Sequence, residues 1–232
     1  MFVFHALDRS ASQRITHTQS LQRAWLVALG IASSLVVFDG QAAAAVKPVT
    51  VSDVNETSFR CMTQMTKVRG FYVDNLLGNK RKTLAAANAK KGGVYPPGSV
   101  VQLVPTEVMV KGQPGTSPAT KDWEFFELDV SAEGSKIRRR GYADVVNRFD
   151  GNCFACHVQA KPEWDMICEQ GHGCQPIPLT HAMFTALQKS DPRCVPPNTL
   201  SQEDKDALTA LQEVMKNLQL PKAESSAPAA MN

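Results

Sequence analysis

The sequence predicts an α+β fold, an antiparallel sheet with helices in a single domain, and three observations lead to this class. Segments rich in valine and aromatic residues occupy the middle of the chain, and a short turn joins two of them. Two amphipathic helical patterns follow near the C-terminus. The length of 232 residues is enough for one well-buried core.

The N-terminal segment has the pattern of an export signal. Arg14 and Arg23 precede the continuous apolar run 24–38, and the small residues Ala42 to Ala45 follow it. The run is shorter than the roughly 20 residues of a membrane span. We therefore expect residues 1–44 to be a signal peptide and the mature protein to be periplasmic, without membrane attachment after cleavage.

The first half of the mature chain predicts a helix followed by strands. A lead-in at 45–57 and a mixed segment at 58–77 come first. A helix is expected at 79–91 and a turn at 95–98, followed by one kinked strand or two short strands at 99–111. A loop at 112–122 then leads into a hairpin of strands 123–130 and 135–142. Pro105 causes the kink, because proline cannot donate to a strand ladder.

Two helices close the chain. The first is expected at 179–189, and the second, at 201–220, begins with Ser201 as a cap and Asp204 three residues on. Its apolar residues recur at helical spacing and predict a face packed on the domain: Leu208, Leu211, Val214, Met215 and Leu218. The main domain is thus expected at 58–200, and the small, polar tail 221–232 is expected to be disordered.

The net charge of +3 is too small to indicate a nucleic-acid partner. The basic run 136–140 is the one candidate for an anionic partner, and a solvated strand end is the favoured interpretation. We expect no nucleic-acid binding.

Two cysteines and a histidine lie within five residues, Cys153-Phe-Ala-Cys156-His157. Two thiols three residues apart on a helix can add to the two vinyl groups of one porphyrin, and the next residue then places an imidazole under the iron. The motif predicts one covalently bound haem c, attached through Cys153 and Cys156, with His157 as the proximal iron ligand. Export agrees with this cofactor, because c-type cytochromes mature outside the cytoplasm.

Zinc and thiol redox chemistry are the alternatives for this motif. Tetrahedral zinc could draw four ligands from a wider set, Cys153, Cys156, Cys168, His172 and Cys174. A thioredoxin-like pair needs the two cysteines at the end of a βαβ unit, which the preceding hairpin does not supply. Extra cysteines in an exported protein are more simply disulfides, so haem is favoured over both.

Four further cysteines are candidates for disulfides: Cys61, Cys168, Cys174 and Cys194. Four cysteines allow three pairings. Cys168 and Cys174 bracket a short glycine-containing loop, which favours that pair and leaves Cys61 with Cys194.

Four blocks in this order resemble the cytochrome P-460 family, which shares its fold with the beta-type cytochromes c′. They are Tyr95-Pro-Pro-Gly-Ser-Val-Val101, Trp123-Glu-Phe-Phe-Glu-Leu-Asp129, Asn152-Cys-Phe-Ala-Cys-His157 and Pro162-Glu-Trp-Asp165. The resemblance covers about residues 58–180, and its haem motif is the specific part. It implies thioethers at Cys153 and Cys156, His157 on the proximal side, and an open iron face beneath apolar side chains.

The resemblance also separates two activities. Members that oxidise hydroxylamine carry a lysine cross-linked to the porphyrin, in the strand after the Pro-x-Gly turn. This chain has Leu103 at or near that place, with Lys111 further along as the remaining candidate. A leucine in place of the cross-linked lysine favours the beta-type cytochromes c′, which bind nitric oxide or carbon monoxide. The resemblance also allows for a homodimer.

Other residues are candidates for the surroundings of the iron. Those for lining the open face are Val101, Leu103, Phe125 and Phe126, although plain sheet core is the favoured interpretation for each. Asp165 is a candidate for orienting the proximal side, and a helix-end or surface carboxylate is an equal alternative. His172 and His181 are candidates for distal ligands, although a surface or loop position is favoured for both.

The sequence therefore predicts an exported mono-haem cytochrome whose open iron face binds NO or CO. The alternatives are a hydroxylamine or NO oxidoreductase, a simple electron carrier with a redox partner protein, and a disulfide- and zinc-stabilised binding domain. An electron carrier needs a sixth ligand, for which Met166 is the candidate, since Met183 and Met215 lie on apolar helix faces. No catalytic residue is assigned.

Overall fold

Six strands form one antiparallel sheet in the computed structural model, and each strand pairs with its neighbours in the chain, in the order β1-β2-β3-β4-β5-β6. The strands are β1 Thr66–Val68, β2 Phe71–Asn75, β3 Ser99–Val104, β4 Glu107–Lys111, β5 Trp123–Ser131 and β6 Gly134–Gly141. The structure describes residues 53–219. The predicted signal peptide, 1–44, and the predicted disordered tail, 221–232, lie outside the described residues.

Within the described part of the chain, four α-helices accompany the sheet, which confirms the predicted α+β class. They are α1 Lys80–Ala87, α2 Cys153–His157, α3 His181–Lys189 and α4 Gln202–Gln219. Within residues 53–219, none of the helices combines the length and the apolar character that a membrane crossing requires.

The turns explain why the strands begin and end where they do. The segment 99–111 forms two strands, because Pro105 and Thr106 make the turn between β3 and β4. The hairpin of β5 and β6 has a two-residue turn, closed by the pairing of Ser131 with Gly134. Both strand segments agree with the prediction.

The first hairpin was not predicted. β1 and β2 pair through Val68 and Phe71, with Arg69 and Gly70 as the turn between them. Arg69 has a φ of 51°, a left-handed conformation that non-glycine residues adopt infrequently. The sequence shows only a mixed segment here, because the strands are short and the turn lacks a standard signature.

The closing helices begin at capped residues. The Thr180 hydroxyl accepts the Met183 N–H at the start of α3. Ser201 and Asp204 cap α4 reciprocally, since the Ser201 hydroxyl accepts the Asp204 N–H and the Asp204 carboxylate accepts the Ser201 N–H. The predicted cap of α4 is therefore confirmed.

The two faces of the sheet carry separate apolar clusters. The motif face, named for the cysteine motif that packs on it, includes Phe71, Val73, Val101, Met109, Trp123, Phe125, Met166 and Ile167, with Cys153 and Phe154 packed against them. The opposite face includes Phe59, Met62, Met65, Tyr72, Val100, Val108, Val110, Phe126 and Leu128. The alternation of side chains along each strand produces this division.

The helical end of the chain is tied to the sheet by polar groups. The Gln188 side chain donates to the carbonyl oxygens of Gly70 and Leu103, so α3 is fixed to the β1–β2 turn and to β3. Lys189 of α3 pairs with Asp204 of α4 at 2.8 Å. These contacts hold the two closing helices on the domain.

The basic run 136–140 lies on β6, an edge strand, and two of its arginines have carboxylate partners on β5. Arg140 pairs with Glu124 at 2.6 Å, and Arg138 lies 3.3 Å from Glu127. Intramolecular pairing thus accounts for part of the run.

Candidate functional site

The cysteine motif forms a short helix at the end of the chain segment that leaves the sheet. The Asn152 side chain accepts the Ala155 N–H at 2.8 Å and caps α2. The Cys153 N–H donates to the Val145 carbonyl oxygen at 3.0 Å, which anchors the first turn to the segment after β6. The local sequence therefore sets both cysteines and the histidine on one helical turn and a half.

The six cysteines divide into four paired and two free. The bonds Cys61–Cys194 and Cys168–Cys174 form, as favoured from the sequence, and Cys153 and Cys156 are free thiols. Burial raises the pKa of the Cys153 thiol to about 12, and the carboxylates of Glu107 and Glu127 act in the same direction. Cys153 thus keeps its proton at neutral pH, while Cys156 is exposed.

His157 has one ring nitrogen committed to the protein. Its Nδ1 lies 2.7 Å from the Met166 carbonyl oxygen, which can only accept, so Nδ1 carries the hydrogen. Nε2 is then the nitrogen with a lone pair for a metal. Burial lowers the pKa of His157, against the hydrogen bond to Met166, and so favours the neutral imidazole that ligation requires.

Asp165 does not orient His157 directly. Its carboxylate receives the Lys111 ammonium at 2.8 Å on both oxygens and the Tyr95 N–H at 2.8 Å. Asp165 lies at the end of a short helical turn, in agreement with the helix-end alternative. Its side chain is buried and forms an ion pair with Lys111. The His157 Nδ1–H donates instead to the carbonyl oxygen of the next residue, Met166.

Lys111, the candidate for a porphyrin cross-link, is the cation of that ion pair with Asp165. Its Nζ also lies 5.0 Å from the centre of the Trp123 ring. Burial lowers the pKa of Lys111, and the hydrogen bond and charge of Asp165 oppose this effect. A cross-link at Lys111 would require this buried ion pair to break.

The two histidines proposed as distal ligands have other positions. His172 lies in a loop, as expected, but it is buried: its ring stacks on Trp164 at 3.7 Å, and its Nδ1 contacts the Ile167 carbonyl oxygen at 2.7 Å. Its carbonyl oxygen accepts the Lys161 N–H. His181 is exposed at the first position of α3, in agreement with the surface interpretation.

The zinc alternative loses its ligand set. Cys168 and Cys174 are bonded to each other, so neither offers a thiolate. Among the described residues, the one group of three with metal-ligand geometry is Cys61, Asp191 and Cys194, whose two cysteines form the other disulfide. The thioredoxin alternative also fails, because the sheet of residues 66–141 is antiparallel throughout and contains no βαβ unit.

The candidates for lining the iron face lie on both sides of the sheet. Val101 and Phe125 belong to the motif face, Leu103 packs against it, and the Phe125 ring centre lies 5.3 Å from that of His157. Phe126 belongs to the opposite face, where its ring packs on Phe59 at 5.1 Å. Phe126 is therefore sheet core, the favoured interpretation, and it faces away from the motif because adjacent residues of a strand point to opposite faces.

Two acidic residues of the motif face were missed. Glu107 and Glu127 pair across β4 and β5, and both influence the Cys153 thiol. Burial raises the pKa of Glu107. Glu127 is fully buried, and its Oε2 has no hydrogen-bond partner among the described residues. The signal was present in the alternation, since Glu127 is two residues from Phe125.

The methionines suggested as a sixth ligand differ in position. The Met166 carbonyl oxygen accepts the His157 Nδ1–H, and the Met166 side chain is buried in the apolar cluster of the motif face. The Met183 sulfur contacts the Thr180 N–H at 3.5 Å, and its side chain is buried. Met215 is half-buried on α4.

The donor set fits a c-type haem. Two free thiols, three residues apart, share a helix with a histidine whose Nδ1 is already bonded, and the helix packs on an apolar sheet face. Two surface depressions of the described residues lie elsewhere, one beside Arg60 and Asp74 and one along β6.

Comparisons with protein-family models, with curated proteins and with solved structures find no match for this chain. The resemblance to the cytochrome P-460 family stays a prediction, and the function is inferred from the residues and their geometry.

Proposed function

We propose that the protein is an exported, periplasmic mono-haem c-type cytochrome whose open iron face binds NO or CO. One observation carries the proposal. Cys153 and Cys156 are the two cysteines left unpaired, and they lie on the same short helix as His157, whose Nδ1 is held by the Met166 carbonyl.

The roles of the residues follow from their chemistry. Each thiol adds across one vinyl group, so that a sulfur–carbon bond forms and the thiol proton passes to the second vinyl carbon without an external oxidant. His157 supplies Nε2 as the proximal ligand, and its bond to Met166 fixes the ring orientation and the tautomer. Bound haem supplies an iron that changes redox state and takes a diatomic ligand.

An open sixth position is supported by the engagement of the candidate ligands elsewhere. His172 is held by Trp164 and Ile167, and Met183 by the cap of α3. The apolar motif face would shield a bound ligand from water, a property that favours neutral diatomic molecules over charged ones. A redox partner protein that returns the iron to its ferrous state is part of the proposal, and a homodimer is compatible with it.

The test is expression of the full chain with the c-type maturation machinery, followed by a haem stain on a denaturing gel. We expect a stained band and a ferrous spectrum that changes on adding CO or NO. The control is Cys153→Ala/Cys156→Ala, which should lose the stain. An unstained wild-type band contradicts covalent haem, and a low-spin ferrous spectrum indifferent to CO contradicts the open face.

A second candidate function, oxidation of hydroxylamine or NO, is favoured by one observation. Oxidation of hydroxylamine releases protons, and Glu127 is a buried carboxylate with an unpartnered oxygen on the face that carries the motif. Hydroxylamine-dependent reduction of an electron acceptor by the wild type, and its loss in Glu127→Gln, would support this candidate. The mass of the haem peptide would show whether Lys111 is cross-linked.

A further inference from the structure

The backbone that holds His157 is itself in an unusual conformation. Asp165 and Met166 are consecutive residues with φ of 48° and 67°. Neither is glycine, and such left-handed residues persist only where the surrounding structure determines them. The Met166 carbonyl that receives the His157 Nδ1–H belongs to this strained pair, so its direction depends on whatever holds Asp165 and Met166 in place.

Three groups from two strands and one turn hold Asp165. The Lys111 ammonium contacts both carboxylate oxygens at 2.8 Å, and the Tyr95 N–H donates to one of them at 2.8 Å. The Trp123 indole N–H donates to the Asp165 carbonyl oxygen at 2.8 Å. Both ends of the residue, side chain and main chain, are therefore fixed to the sheet.

The ion pair of Lys111 with Asp165 is buried. The side chains of Lys111 and Asp165 are 7% and 4% exposed. A buried ion pair of this kind is weak evidence for stability, because the desolvation of both charges offsets much of their attraction. A role in fixing a conformation is the better account, since the pair lies one residue from the carbonyl that orients the imidazole.

We propose that the buried Lys111–Asp165 pair is a positioning device for His157. It holds Asp165 and Met166 in left-handed backbone, so that the Met166 carbonyl accepts the Nδ1–H and leaves the lone pair on Nε2, with one tautomer and one ring orientation. The inference rests on the proposed function, in which Nε2 is the iron ligand. Lys111 and Asp165 are positioning residues, because they act on His157 only through Met166.

The strength of the Nδ1 hydrogen bond affects the midpoint potential of an iron bound at Nε2. A hydrogen bond from Nδ1 gives the imidazole more anionic character and makes it a stronger donor. Loosening the Met166 carbonyl weakens that bond, so the ligand becomes a poorer donor. The ferric state then loses more stabilisation than the ferrous state, and the midpoint potential rises.

The experiment uses the haem-loaded full chain with Asp165→Asn, which removes the charge and keeps the shape. The double variant Lys111→Met/Asp165→Asn leaves no unpaired charge and can still accept the Tyr95 N–H, so it is the variant expected to fold if the single one does not. The expected result for either is a lower ferrous iron–histidine stretching frequency in resonance Raman spectra and a higher midpoint potential than wild type.

The matched control is Asp191→Asn, which breaks another buried ion pair, that of Asp191 with Arg193 at 2.7 Å, away from the motif. It should lower stability and leave both readouts at their wild-type values. Equal changes in the Asp165 and Asp191 variants, or no change in the Asp165 variants, would overturn the inference.

A second readout separates this inference from the proposed function. In the haem-free Cys153→Ala/Cys156→Ala protein, nitrogen-15 spectra of the His157 ring should show the Nδ1–H tautomer alone, and Asp165→Asn should add the other tautomer. An unstained wild-type protein would defeat the proposed function while leaving this measurement to decide the role of the pair. A ring unaffected by Asp165→Asn would defeat the inference even if haem is bound.

Discussion

Two regions of this protein contain the same devices, a disulfide and a buried ion pair, and use them differently. The motif region, residues 153–174, has the bond Cys168–Cys174 and the pair of Asp165 with Lys111 of the sheet. The closing region, residues 183–204 together with Cys61, has the bond Cys61–Cys194 and the pair Asp191–Arg193.

The closing region uses its hydrogen bonds to join distant parts of the domain. Asp191 accepts the Met62 N–H, and Arg193 donates to the Ser135 hydroxyl and the Pro105 carbonyl oxygen, so four distant segments are joined. In the motif region the chain of bonds ends at His157, whose second nitrogen is not used by it. The difference indicates that one region serves stability and that the other serves a site.

The largest expected effect is in the closing region. Cys61→Ala/Cys194→Ala opens a loop of 133 residues, for which the chain-entropy model gives a loss of about 5 kcal/mol. We expect the free energy of unfolding, measured by urea denaturation, to fall by that order while the CO-bound haem spectrum stays unchanged. A shifted spectrum in folded protein would show that the two regions are coupled.

A smaller effect is expected for the disulfide of the motif region. Cys168→Ala/Cys174→Ala opens a loop of six residues, which corresponds to about 2 kcal/mol in the same model. The loop carries His172, so the stack of His172 on Trp164 should loosen and the tryptophan fluorescence should change. A stability loss equal to that of the Cys61 variant would contradict the division between the regions.

The smallest effect is a pH-dependent one on the motif face. Burial raises the pKa of Glu107 above its unfolded value, so the folded protein binds more protons than the unfolded chain between the two values, and stability falls as pH rises through that window. Glu107→Gln removes this loss. We expect it to stabilise the protein by about 0.5–2 kcal/mol at pH 7, in the usual range of such gains, and to give no gain near pH 4.

Glu133→Gln is the control for that measurement. Glu133 is exposed in the β5–β6 turn, and the Ser131 hydroxyl lowers the pKa of its carboxyl, the opposite direction to Glu107. It should not reproduce the gain at pH 7. A gain for Glu107→Gln that is the same at both pH values would show that burial of charge at Glu107 is not its cause.

Local patterns made much of the fold predictable. The turn at Pro96–Gly98, the hairpin of β5 and β6 and the cap of α4 depend on residues close together in sequence, and the structure agrees with them. The hairpin of β1 and β2 was missed, because its turn depends on a left-handed arginine that no local pattern indicates.

The individual residues of the candidate site were predictable from the sequence, but the contacts between distant residues were not. The thiols and the histidine are adjacent in sequence, whereas Lys111 and Asp165 meet across 54 residues through the docking of a loop on the sheet. No local signal marks Asp165 and Met166 as left-handed, so the acceptor of the His157 Nδ1–H was sought in a carboxylate rather than in the Met166 carbonyl oxygen. The alternation along β5 could have revealed Phe126 as facing away and Glu127 as facing the motif.

The sequential order of the sheet has a consequence for how the protein matures. Each strand pairs with the strand before it, so each hairpin can form as soon as its second strand has been delivered. The helix with the two thiols follows the last strand, and the apolar surface on which it docks is then complete. Cys61 precedes its partner Cys194 by 133 residues, so its thiol stays unpaired for the longest time during synthesis and has the most opportunity to form a wrong disulfide. The surface on which the helix of the two thiols docks can thus be complete before the Cys61–Cys194 bond forms.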